Sequence, residues 1–180
     1  KRMLTIRIPK KELFDEAKQE FIETEPFELR LEHSLVSLAK WESKWHIPFL
    51  SKKPKTDEQS LDYVRCMTIT QNVPNSVYLA FGNSELDAVA EYIDNPMTAT
   101  TFSKPKETTT NKTVVTAEII YYWMVSFNIP FECQTWHLNR LLTLINVCSI
   151  KNQRKGKVNK KELLKQQREL NAARRAQLNT

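Results

Sequence analysis

Met3 to Ile8 alternates apolar and polar residues, with β-branched side chains in the apolar places, which is the period of a half-buried strand. Glu20–Ile22 and Phe27–Leu31 can supply its partners, so the pattern predicts a small N-terminal sheet or hairpin. Lys10–Gln19, between them, reads equally well as a helical turn. From Ser34 the period lengthens. Leu35, Leu38, Trp41 and Trp45 recur at three and four residues, as on one helix face, and Pro48 stops the run. Trp41 and Trp45 read as core residues, with an exposed binding anchor as the alternative.

Thr56 with Gln59 three residues on is a capping-box pattern, opening a helix whose apolar positions include Leu61, Val64 and Met67. Ser76–Phe81 is a short apolar run that fits helix or strand. Asn83 or Ser84 can cap a further helix carrying Leu86, Val89, Ala90 and Ile93, closed by Asn95-Pro96. Met97 to Thr113 is rich in threonine and lysine and reads as a long exposed loop. Thr116–Asn128 and Phe131–Ile150 carry the strongest helical periodicity. Their short connection at Asn128–Pro130 predicts an antiparallel helical hairpin burying Trp123, Phe127, Leu138, Leu141 and Ile145 together.

The fold class expected is mainly α with a small N-terminal β-hairpin, that is, α+β, in two parts: a helical domain over residues 1–150 and a basic helical tail over residues 151–180. Only two glycines, Gly82 and Gly156, occur in 180 residues, too few for turn-rich sandwiches, P-loops or Rossmann domains. Charge separates the two parts. Residues 151–180 hold ten basic and two acidic residues, a net charge of +8; the whole chain is +6, so residues 1–150 carry −2. Leu163, Leu164 and Leu170 make a narrow apolar stripe that cannot form its own core. The partner-binding candidates are therefore Arg154, Lys155, Lys157, Lys160, Lys161, Leu163, Leu164, Arg168, Leu170, Arg174 and Arg175. They fit a protein partner with an acidic rim, or phosphates, although the tail has no aromatic residue to stack on bases. A solvated terminus is the third reading.

Candidate chemistry is sparse. Cys133 and His137 stand at i and i+4 and could share one helix face, as a metal pair or a thiol–imidazole pair, but a zinc site needs three or four ligands. Their apolar flanks, Phe131 and Trp136, favour structural burial. Cys66, Cys133 and Cys148 are an odd number without paired spacing, which suits buried thiols in a reducing compartment. No HExxH, GxGxxG, GxxxxGK[ST] or CxxC occurs, and no apolar run reaches about 18 residues. A non-enzymatic, cofactor-free protein made in the cytosol, without a membrane span, is expected.

Five stretches carry a resemblance: LEHSLVSLAKWESKW (Leu31–Trp45), DYVRCMTIT (Asp62–Thr70), PMTATTF (Pro96–Phe102), EIIYYWMVSFNIPFECQTWHLNRLLTLINVC (Glu118–Cys148) and LNAARRAQLNT (Leu170–Thr180). Together they cover more than a third of the chain, and their order resembles that of the tail assembly chaperones of long-tailed bacteriophages. That resemblance implies a protein of the host cytoplasm, without catalytic residues, that keeps the helical tape-measure protein soluble during tail assembly. The alternatives are a structural virion component, such as a head or tail connector, and a nucleic-acid-binding regulator acting through the basic tail.

Overall fold

The computed structural model describes residues 3–15, 19–102 and 114–152. The chain divides into two units between residues 143 and 144. The first holds strands β1 (Leu4–Ile8), β2 (Lys11–Asp15), β3 (Glu20–Thr24) and β4 (Phe27–Leu31). Helices α1 (Leu35–Trp45), α2 (Asp57–Met67), α3 (Asn75–Leu79), α4 (Asn83–Asp94) and α5 (Ala117–Ser126) follow. A 3-10 turn, Phe131–Thr135, and helical residues 138–143 complete it. In the second unit residues 144–152 are helical, and Ile145 is buried. The α+β class holds.

The four strands form two antiparallel pairs in one register. Leu4 pairs with Leu31 and Ile8 with Phe27; then Lys11 pairs with Thr24 and Asp15 with Glu20. Continuing that register across the gap sets Pro9 opposite Pro26. Neither proline has an amide hydrogen to give, so the ladder breaks there and the ribbon falls into an inner and an outer half. In the inner half Ile6, Ile8, Leu29 and Leu31 all face inward, while Arg7 and Glu28 pair across the outer face at 3.2 Å. The segment leaving α2 lies along the end of β4: Glu32 N–H donates to Met67 O (2.8 Å) and Ile69 N–H to Arg30 O (2.9 Å).

The inward face of that ribbon packs with Trp41 of α1, Tyr63, Val64 and Met67 of α2, Val77 and Tyr78 of α3, and Val89 and Tyr92 of α4. Helix starts follow the sequence closely. Thr56 Oγ1 accepts from Gln59 N–H at 3.2 Å while Gln59 Oε1 accepts from Thr56 N–H at 3.0 Å, the reciprocal box the pattern predicted. The α1 helix ends with His46 in the left-handed conformation, φ 52°, two residues before Pro48. The α4 cap lies one residue earlier than expected, at Gly82, because Glu85 reaches back to take its N–H at 2.7 Å. Ser76–Phe81 resolves as the short α3, and Lys10–Gln19 contributes a strand rather than a helical turn.

One long element departs from the sequence reading. Phe131–Ile150 is not a single helix: Phe131–Thr135 is 3-10, Trp136 is extended, and the helix proper begins at residue 138. Outside partners displace the helical bonds there. Ser34 and His137 form a β-bridge, and Leu138 N–H donates to His33 O at 2.9 Å. Leu138, Leu141 and Ile145 are buried as expected, but Trp123 and Phe127 are only half-buried. Ala117, Ile120 and Met124 fill the inward positions of α5 instead.

Candidate partner-binding surfaces

The tail residues that the sequence nominated, from Arg154 to Arg175, lie outside the described residues. So does most of the threonine- and lysine-rich segment; its described part, 97–102, is neither helix nor strand. The tryptophan pair is structural. Trp41 is fully buried and its indole N–H donates to Gln59 O at 2.8 Å. Trp45 donates to Asp62 Oδ2 at 2.8 Å, and Lys44 reaches the other oxygen of the same carboxylate. Burial would raise the Asp62 pKa, yet these two hydrogen bonds and the Lys44 charge hold it below the usual carboxylate range.

The 3-10 geometry removes the helical i, i+4 relation between Cys133 and His137. Cys133 is buried, and burial pushes its thiol pKa up, away from the thiolate a nucleophile needs. His137 instead donates through Nε2 to Tyr92 O at 2.9 Å, which leaves Nδ1 deprotonated, buried and without a hydrogen-bond partner. Its ring lies 5.0 Å from that of His33, whose Nδ1 is 2.6 Å from the Tyr63 hydroxyl. Neither histidine was singled out for this role, since 104 residues separate them and only the fold joins them.

Burial, and then the neighbouring His137, lower the His33 pKa to about 3. Unfolded, it titrates near its ordinary value of 6.5. Between these values the unfolded chain binds the extra proton, so the His33 contribution is complete above pH 6.5 and is lost as pH falls toward 3. The expected loss is about 1.4 kcal/mol per pH unit. Urea unfolding of the parent and of His33→Gln at pH 6 and pH 5 measures it: the variant should lack that much of the slope. Equal slopes would remove His33 from the acid response.

A cleft of about 410 Å³ lies beside His137, lined by Glu32, Tyr92, Met97, Trp136 and Arg140 among others. The Arg140 guanidinium sits 4.2 Å from the centre of the Trp136 ring. Among the described residues no three histidine, cysteine or acidic side chains are grouped to hold a metal ion. No helix among them is long and apolar enough to cross a membrane.

Exposed apolar surface is the more distinctive feature. In α5 only Glu118 and Ser126 are polar, so apolar side chains must also line its solvent face. Tyr122 is 68% exposed and Val125 59%. They stand at i and i+3, adjacent on the helix surface. Tyr121, one turn before Val125, meets Phe131 at 6.4 Å between ring centres and donates to Gln134 Oε1 at 3.0 Å. Phe131 itself is 55% exposed, and the exposed acids Glu118 and Glu132 flank the group. A helix with an inward apolar stripe and an outward one offers a firm docking face to another helix. The signal that could have found it is the composition of Glu118–Phe127, where apolar residues run round the helix rather than along one stripe.

No family model, curated protein or solved structure matches this chain.

Proposed function

We propose that the chain is a non-catalytic bacteriophage tail assembly chaperone, which binds amphipathic helical segments of the tape-measure protein in the host cytoplasm. The observation that carries this reading is the outward face of α5, where Tyr122, Val125 and Phe131 stand exposed on elements whose other faces are buried. Aromatic side chains on a firm support lose little entropy on contact and are the usual energetic anchors of a protein interface. The likeness of the five quoted segments to the chaperone family supports the same reading. The +8 tail adds a screened, long-range attraction for an acidic segment, falling off over about 8 Å at physiological ionic strength.

Co-expression with the tape-measure protein, followed by pull-down, tests the proposal. Replacing both Tyr122 and Val125 with glutamate should lower recovered tape-measure protein about tenfold or more while the chain stays folded. Deleting residues 152–180 should weaken recovery and make what remains less salt-sensitive. Recovery unchanged by both alterations would refute the chaperone reading. Finding the chain at stoichiometric amounts in purified virions would favour the structural-component alternative. Salt-dependent DNA binding that the deletion abolishes, with no tape-measure recovery, would favour the nucleic-acid alternative.

A further inference from the structure

The outer half of the N-terminal ribbon combines an exposed aromatic pair, an open strand edge and a charge pattern that complements itself. Phe14 and Phe21 are cross-strand partners with ring centres 5.1 Å apart, yet they are 48% and 68% exposed. The base of this half is fixed: Lys11 Nζ donates to Ala80 O at 2.8 Å, and β3 runs beside α3. Among the described residues β2 pairs with β3 alone.

Backbone alternation shows which groups of β2 face outward. Thr24 Oγ1 accepts from Lys11 N–H (3.0 Å) and donates to Lys11 O (3.1 Å), so the backbone groups of Lys11 are directed at β3. In an antiparallel strand the direction reverses at each residue, which leaves those of Glu12 and Phe14 for the open edge. Unpaired N–H and C=O groups in such a row are a template for another strand.

The sequence of β2 is Lys11-Glu12-Leu13-Phe14-Asp15. Antiparallel pairing of two copies about a two-fold axis through Leu13 sets Glu12 opposite Phe14 of the second copy, where the outward backbone groups exchange hydrogen bonds. It also sets Lys11 opposite Asp15 of the second copy, twice by symmetry, on one face of the sheet. The two Phe14 side chains become diagonal neighbours, within about 7–8 Å, so that Phe21, Phe14 and their counterparts form one continuous aromatic stripe. The β3 edge offers no such match, since Glu20-Phe21-Ile22-Glu23-Thr24 contains two acids and no base.

We propose that β2 is a homodimerisation edge: two copies join through it, antiparallel about Leu13, into a four-stranded sheet in the order β3–β2–β2–β3. The contact is isologous, because each strand presents the same groups to the other. It is also short, which places it among weak, concentration-dependent associations.

Sedimentation equilibrium of the full chain, from micromolar to about 1 mM, is the test, at concentrations where weak pairs populate. The parent should show a monomer–dimer equilibrium. Phe14→Glu, a change at an exposed position that sets two acids against each other, should raise the dissociation constant about tenfold or more with unchanged circular dichroism. Lys11→Asp and Asp15→Lys should each weaken self-association, and an equimolar mixture of the two should form the heterodimer, because opposite charges then face each other at both ends. That mixture also controls for folding, since a misfolded variant would not be rescued by its complement. A parent that stays monomeric, a dimer that Phe14→Glu leaves intact, or a mixture that associates no better than its components overturns the proposal.

Discussion

Trp41→Ala should destabilise the first unit by about 3–5 kcal/mol, the cost typical of removing a large buried aromatic. Trp41 is fully buried, in the core that also holds side chains of the strand ribbon and of α2, α3 and α4. Its ring meets Phe49 edge-on at 5.1 Å and Tyr63 at 6.5 Å, while Phe49 stacks on Tyr63 at 3.8 Å. Alanine would leave a void beside both of these rings and remove the indole N–H that now donates to Gln59 O. Trp41→Phe should recover about half of the loss by refilling most of the volume without restoring the hydrogen bond. Tyr122→Ala provides the contrast, since an exposed position away from such features should move stability by less than about 0.5 kcal/mol. Urea denaturation of the three variants measures all of this. Similar losses for Trp41→Ala and Tyr122→Ala would mean that the inward and outward faces have been misassigned.

The second large effect is expected at Glu42, whose carboxylate ties two distant segments to α1. Oε1 accepts from Phe49 N–H and Oε2 from Ala117 N–H, both at 2.7 Å. The first bond folds the segment after α1 back onto the Trp41 cluster. The second satisfies an amide at the first turn of α5, where no intrahelical acceptor exists and negative charge is favoured by the helix dipole. Glu42→Ala leaves both amides unpaired in a region with little water. At about 1–3 kcal/mol for each, the loss should total about 2–6 kcal/mol. Glu42→Gln keeps one acceptor oxygen and should cost less. Hydrogen exchange gives a second reading, because the Phe49 and Ala117 amides should lose protection in Glu42→Ala before the core strands do. A loss under about 1 kcal/mol with both amides still protected would show that neither bond holds its segment.

These two side chains divide what the sequence could disclose from what it could not. Local rules fixed much of the architecture. Alternation marked Leu4–Ile8 and Phe27–Leu31 as strands, and the Thr56–Gln59 box marked the start of α2, since each depends on residues a few positions apart. The buried state of Trp41 followed from the same helical period. The nearly all-apolar composition of Glu118–Phe127 does not say which side of the helix faces inward. Trp123 and Phe127 lost the inward places to Ile120 and Met124, a choice set by what packs against α5.

The remaining features arise from partners far away in the chain. Nothing in the local sequence marks Glu42, and only an amide 75 residues on makes it a staple. His33 and His137 meet because β4 and the later helical segment converge. The same convergence, through the Ser34–His137 bridge and the Leu138-to-His33 hydrogen bond, breaks a helix that Phe131–Ile150 would otherwise continue. Periodicity reports which side of an element is apolar, because that depends only on residue spacing. Tertiary structure decides which backbone groups find an outside partner, and a buried amide or carbonyl takes whichever partner keeps it bonded.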